Sequence, residues 1–276
     1  MKKIKGLSLL FISILLIGLV AGCNSSSKEV SVIQTIQEND SIRIGVFGDK
    51  PPFGFVNQDG ENEGFDVFIA NRFAEDLLGD ASKVEFIVVE AASRVEYLES
   101  DRVDIILANF TVTDERKEAV DFATPYMKVG LGIVSPDGEL ITDVSELEGQ
   151  KVIVNRGTTA ELYFIENHPE IELVAFDQNT EAFNALKDGR GAALAHDNTL
   201  LFAWANENPG FSVGITSLGN EDVIAPAVKK GNTELLEWIN EELETLAEED
   251  FLYKAYDATL RSAFGETIDA DDVVYQ

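Results

Sequence analysis

Apolar and polar positions alternate through Ile42-Arg43-Ile44-Gly45-Val46-Phe47, the period of a strand. Gly48-Asp49-Lys50-Pro51-Pro52 breaks that run. Phe53-Gly54-Phe55-Val56 and the following Asn57-Gln58-Asp59-Gly60 read as a small hairpin arm. Phe65, Ile69, Phe73 and Leu77 then recur every four residues, which predicts an amphipathic helix over Gly64–Leu78 closed by Gly79. A strand over Val84–Val89, a helix over Ser93–Glu99 and a strand over Val103–Leu107 complete a βαβαβ series. Asp121–Tyr126 reads as irregular, and Val129–Val134, with Gly130 and Gly132, as a strand.

A second alternation starts at Ser145. It has short helical Ser145–Leu147, strand Val152–Val154, helix Ala160–Asn167, strand Glu172–Phe176, helix Thr180–Asp188, strand Ala192–Leu194 and helix Asn198–Asn206. A strand over Asp222–Val228, a long helix over Asn232–Glu249 and a last helix over Phe251–Leu260 follow. The long helix carries Leu235, Leu236, Ile239 and Leu243 on one face. Two α/β halves joined through a glycine-bearing strand predict two lobes with a cleft between them.

The N-terminus follows another pattern. Basic Met1-Lys2-Lys3-Ile4-Lys5 leads into an almost wholly apolar Leu9–Val20 and then Val20-Ala21-Gly22-Cys23. The run is short for a membrane span and reads as a signal segment. Asn24–Asp40 is polar and reads as a tether.

Charge and composition narrow the function. The 276 residues carry a formal charge of −29, from 50 acidic and 21 basic side chains. That excludes the basic surface a nucleic-acid binder needs. An acidic ligand still binds locally where a buried arginine meets it. One cysteine excludes an internal disulfide, and with only His168 and His196 no metal site is expected. No phosphate loop or nucleophile elbow is present, so neither an enzyme nor a cofactor is expected.

Three stretches could carry chemistry. In Ala108-Asn109-Phe110-Thr111-Val112-Thr113-Asp114-Glu115-Arg116 a strand ends in a polar loop and Thr113 caps a helix. Arg116 then lies in the first helical turn, where a cation costs roughly 0.3–1 kcal/mol. It is either solvated or paired with Asp114 or Asp121, or it is held at the sheet edge to take a carboxylate. Asn155-Arg156-Gly157-Thr158-Thr159-Ala160-Glu161 repeats this layout, with Thr158 as cap and free amides at Thr159 and Ala160. It is either a plain capped helix or an anion site. In His196-Asp197-Asn198, Asp197 is either a helix cap or an acceptor for an ammonium group, and His196 is a positioned neighbour. A guanidinium, free amides and a carboxylate together match an α-amino acid zwitterion.

The body from Ser41 to Gly265 resembles the polar-amino-acid solute-binding proteins of bacterial ABC importers (extracellular solute-binding family 3). Gly64-Phe65-Asp66-Val67, Val103–Ala108, Thr111-x-Thr113-x-Glu115-Arg116, Asp121-Phe122, Pro125-Tyr126, Gly157-Thr158-Thr159 and His196-Asp197 carry the resemblance. The runs Ile42–Val56, Val89–Arg94, Ile105–Thr111, Tyr126–Gly132, Asp177–Thr180, His196–Trp204 and Asp222–Gly231 are most similar to the cysteine-binding lipoproteins. Phe68 stands where many members have a second acid, and Glu90-Ala91-Ala92-Ser93-Arg94 where many have an aromatic residue.

The resemblance implies an α/β, two-lobed type II periplasmic-binding fold. Each lobe is then a mostly parallel sheet flanked by helices, with two hinge strands between them. The expected division is signal peptide 1–22, lipid-anchored linker 23–40, lobe 1 at 41–130 plus 228–265, lobe 2 at 131–227 and an acidic tail at 266–276. Val-Ala-Gly-Cys resembles a lipobox, which implies cleavage before Cys23 and acylation of its thiol. Removing residues 1–22 takes away three lysines and no acid, moving the charge from −29 to −32.

The implied role is a monomeric, lipid-anchored protein on the outer face of the cell membrane. It would bind L-cysteine, or aspartate, glutamate or cystine, and deliver it to a permease with its ATPase. Arg116 would clamp the carboxylate, helped by Thr111 and Thr159, and Asp197 would take the ammonium. Thr158, Asn109, Phe110 and Lys50 belong to the same expected site. Arg94 either meets an acidic side chain, polarises a thiol toward thiolate, or pairs with Glu90. The rival functions are a prephenate-type dehydratase on the same fold, with Asp197 or Glu90 as acid, and a sensor or adhesin.

Overall fold

Two five-stranded sheets with the same plan organise the chain in the computed structural model, which describes residues 31–265 and 268–275. The first runs in the order Val84–Val88, Ile42–Val46, Ile105–Ile106, Ala227–Lys229, Val120–Phe122. The second runs Glu172–Phe176, Lys151–Asn155, Ala193–Asp197, Met127–Pro136, Phe211–Ile224. In each, the first three strands are parallel and the last two join antiparallel. The expected parallel core is therefore present, and the returning strands make each sheet mixed. Asp49–Lys50, Gly54–Val56 and Asn62–Glu63 form the small arm as a third sheet.

The two long strands Met127–Pro136 and Phe211–Ile224 pair with each other and lead back to the first sheet. Their register shifts three times, after Val213, Ile215 and Leu218. Such irregularities increase local twist and bend a ribbon. Ala227 pairs with Ile106 and Phe122 in the first sheet, whereas Met127 and Val129 pair with the second sheet's edge strand.

The helix Phe65–Leu78 buries Phe65, Asp66, Val67, Ile69, Ala70, Phe73 and Ala74 and ends at Gly79, whose φ of 77° satisfies the left-handed cap. Its start requires Gly64, because a Cβ there would lie 2.3 Å from the Phe53 carbonyl oxygen. Thr233–Glu248 buries Leu235, Ile239, Leu243 and Leu246, with Leu236 packed half-buried against the same core, so Leu246 extends the expected apolar stripe.

Five readings change. Residues 31–40 are not tether: Val32–Asn39 is a helix with Ile36 buried. Ser31 caps it and donates its hydroxyl to Glu234 at 2.7 Å. The acidic tail packs back on the body, with Val273 and Val274 buried, a bridge from Met127 to Val274, and Tyr275 N–H donating to the Tyr126 carbonyl. Val120–Phe122, read as irregular, is an edge strand, and the predicted strand 103–107 shortens to Ile105–Ile106. The strand expected at Asp222–Val228 is two strands, Phe211–Ile224 and Ala227–Lys229, on different sheets. The signal segment and Cys23 lie outside the described residues. Among the described residues, no helix is long and apolar enough to cross a membrane.

Candidate functional site

The chemistry gathers where strands end, as expected for open α/β sheets. Ile105–Ile106 runs into Asn109, whose backbone takes a left-handed φ of 44°. A non-glycine residue pays roughly 1–2 kcal/mol for this, less for asparagine. Buried Asp66 holds it there. One carboxylate oxygen accepts the Asn109 N–H at 2.8 Å and the other accepts the Tyr126 hydroxyl at 2.7 Å. Burial raises the Asp66 carboxyl to about 7, against the pull of those two hydrogen bonds.

Lys50, on the arm, is buried to 1 % exposure. Its Nζ donates to Asn109 Oδ1 and to Asp197 Oδ2, the latter at 2.8 Å, and lies 5.2 Å from the Phe47 ring centre. Burial lowers the Lys50 pKa, and Asp197 opposes the shift. For Asp197 the burial effect runs upward, but the Lys50 ammonium overrides it and holds the carboxyl well below its ordinary range. Asp197 stands at the N-cap position of Asn198–Glu207 yet makes no capping bond. Its carboxylate accepts the Lys50 ammonium instead. Neighbouring His196 accepts the Asp197 N–H through Nδ1 at 2.7 Å. Burial, then Lys50, keeps the ring neutral at pH 7.

Two guanidiniums complete the wall. Arg116 follows the cap that Thr113 makes to its own N–H at 3.2 Å. Its Nη1 donates to the Thr111 carbonyl at 2.6 Å and its Nη2 to the Gly157 carbonyl at 2.8 Å. It is neither solvated nor paired with Asp114 or Asp121. Its helix, Asp114–Ala119, has only six residues, so Arg116 belongs to the last turn as much as the first and the expected dipole cost largely vanishes. Burial lowers its pKa to about 10, which leaves it charged at neutral pH.

Arg94 does not pair with Glu90. It donates to the carbonyls of Ala91, Ala108, Asn109 and Gly157, at 2.9, 3.0, 3.2 and 3.2 Å. Burial, then the nearby Arg116, pushes its pKa well down.

These groups line a narrow cleft whose free volume is only about 10 Å³. Lys50, Arg94, Asn109, Thr111, Arg116, Thr158, Thr159 and Asp197 all line it, with Phe47, Ala91 and His196. Phe110 does not line it. Its ring packs 4.3 and 4.7 Å from the Arg94 and Arg116 guanidinium carbons and supports them from behind. A larger groove, of about 440 Å³, runs between Pro51-Pro52 and Trp204 and has no cation in its lining.

The second lobe contributes a helix N-terminus. Thr158 caps Thr159–Asn167 by accepting the Glu161 N–H at 3.3 Å, and Glu161 accepts the Gly157 N–H at 2.8 Å. Gly157 has φ 72°, and a Cβ there would lie 2.5 Å from Ala92 Cα on the other lobe. Phe47 and Ala91 also follow strand ends, a signal the sequence reading applied only to their neighbours.

The family-3 model of bacterial extracellular solute-binding proteins matches residues 42–260. The chain belongs to that family. It is 56% identical to the solved solute receptor for L-cysteine of Neisseria gonorrhoeae, covering 88% of this chain and 99% of that one, with a TM-score of 0.87. It is 54% identical to the cysteine-binding protein of Campylobacter jejuni, covering 90% and 100%, with a TM-score of 0.88. The glutamine-binding protein GlnH of a Bacillus subtilis ABC transporter is 36% identical over 93% of this chain and 97% of its own length. This solute-binding protein therefore shares the two-lobed family fold, and the relatives named here are binding proteins rather than enzymes.

Proposed function

We propose that this solute-binding protein serves a bacterial ABC importer and that its ligand is L-cysteine. The observation that carries the reading is the small walled cavity with opposite charges on its two sides, Arg116 and Arg94 against Asp197. The ligand carboxylate goes to Arg116 with the Thr111 and Thr159 hydroxyls, and the ammonium joins Lys50 at Asp197. Both lobes contribute, so ligand favours the form in which they meet, and a permease with its ATPase recognises that form.

The 56% and 54% identities to cysteine receptors, against 36% to a glutamine binder, support cysteine over glutamine. Aspartate or glutamate is the second reading, because Arg94 has only neutral acceptors. Lipid attachment at Cys23 would hold the protein at the outer face of the membrane.

A thermal-shift screen of the standard amino acids and cystine tests this. A ligand at 100 times its Kd stabilises by about 2.7 kcal/mol. L-Cysteine should give the largest shift, and Arg116→Ala should abolish it. A glutamine or arginine shift without a cysteine shift overturns the assignment.

A further inference from the structure

The charges lining the cavity do not balance for a zwitterion. Lys50, Arg94 and Arg116 contribute three cations and Asp197 a single carboxylate. Among the described residues, neither guanidinium forms an ion pair, and Lys50 already shares Asp197. The ligand ammonium would be a second cation on that carboxylate, and the ligand carboxylate can compensate one guanidinium. The other is left facing only carbonyl oxygens and the rings of Phe47 and Phe110. Asn109 adds an orphan. Its Oδ1 accepts from Lys50, while its buried Nδ2 donor has no partner, an arrangement that calls for an acceptor.

The surrounding groups do not supply the missing charge at contact range. His196 is neutral, Tyr126 is a phenol and Asp66 lies behind Asn109 with both oxygens engaged. Asp222 is half-buried near Arg116 and Asp197 but bridges to neither, and Glu115 is exposed.

We propose that the site binds L-cysteine as the thiolate, with Arg94 and the Asn109 amide facing the sulfur. This deepens the cysteine reading and rests on it. The S–H bond breaks heterolytically, the proton leaves to the solvent, and no oxidant or reductant takes part. Free cysteine, with a thiol pKa of about 8.5, is only a few per cent thiolate at pH 7. Neighbouring cations bring protein thiols down to about 3.5–7.5.

Titration calorimetry of the full chain with L-cysteine at pH 7, in buffers of different ionisation enthalpy, reads the proton directly. The expected result is about one proton released per ligand, with a thiolate absorbance band appearing in the complex. Below pH 8 the affinity should rise about tenfold per pH unit, and L-serine should bind at least ~100-fold more weakly. Arg94→Gln should cut the preference for cysteine over serine at least ~10-fold and reduce the proton release, changes that a merely structural role would not produce. The wild-type proton count stands even if that variant fails to fold.

Cysteine binding without proton release or thiolate absorbance overturns the thiolate while leaving the proposed function intact. So does S-methylcysteine binding as tightly as cysteine, or aspartate binding more tightly than cysteine. Absence of any cysteine binding overturns the proposed function itself, and the thiolate with it.

Discussion

The two walls of the cleft are built differently. The first lobe presents long cationic side chains: Arg94 and Arg116, braced by backbone carbonyls and the Phe110 ring, and Lys50, held by the Asn109 amide oxygen and Asp197. The second presents short groups fixed by the backbone: the Gly157 carbonyl, the start of the helix Thr159–Asn167, and Asp197 at the end of a strand. The long groups need bracing because each loses rotamer freedom when ordered. The short groups need only a correctly placed loop. Charge thus comes mainly from one wall and precise position from the other.

Removing the one carboxylate of the second wall should have the largest effect. Asp197→Ala leaves Lys50 buried without its counter-ion, a change that costs roughly 3–5 kcal/mol when a buried pair is broken. Cysteine affinity by calorimetry should fall by two to three orders of magnitude. A loss smaller than about tenfold would show that Lys50, not the ligand, is the partner that matters.

Gly157→Ala tests the geometric side of the comparison. The new Cβ would meet Ala92 at 2.5 Å, and φ of 72° disfavours any side chain. The lobes should approach less closely, and cysteine affinity should drop at least about tenfold with little loss of melting temperature beyond the roughly 1–2 kcal/mol of backbone strain. Unchanged affinity would mean that the Gly157 carbonyl is not a closing contact.

Asp66 sharpens the first wall's dependence on its support. Its carboxyl, at about 7 in the folded protein, lies above its unfolded value near 4. The folded state therefore holds the proton more tightly between those two values. That contribution to stability is complete below about pH 4 and is lost as pH rises through about 7. Urea titrations from pH 4 to 8 should show wild-type stability declining relative to Asp66→Asn as pH rises; parallel curves would refute the assignment.

The smallest effect belongs to a contact at the cleft rim. Asp49 accepts the Asn179 side-chain amide at 2.9 Å and the Thr180 N–H at 3.1 Å, capping the helix Asn179–Lys187 from the opposite lobe. Asp49→Ala should remove about 1 kcal/mol, within the range for a lost cap. The expected readout is a cysteine off-rate several-fold faster in stopped-flow, with the on-rate nearly unchanged. A change confined to the on-rate would place Asp49 outside the closing contacts.

Much of this was legible one residue at a time. Thr113 and Thr158 announced caps, and Phe65, Ile69 and Phe73 announced a core helix, because local hydrogen bonding and a 3.6-residue period are written in neighbouring residues. Phe211–Ile224 was not legible. Its register shifts and glycines erase the period of two, and its pairing with Met127–Pro136 spans most of a lobe. Phe110 looked like a ligand contact because it sits between Asn109 and Thr111, which both line the cavity. Which way its ring faces depends on two arginines from different elements.

The sequence by itself determined the α/β alternation, the lone cationic and carboxylate positions at strand ends, and the acidity that rules out nucleic acid, since each follows from local pattern or composition. Only the tertiary structure decided which partners those charges have. Asp197 could have capped its helix, Arg94 could have paired with Glu90, and Arg116 with a neighbouring acid. Folding instead carried them from distant segments into one water-poor enclosure, where the cost of leaving a charge unpaired depends on what faces it across the cleft.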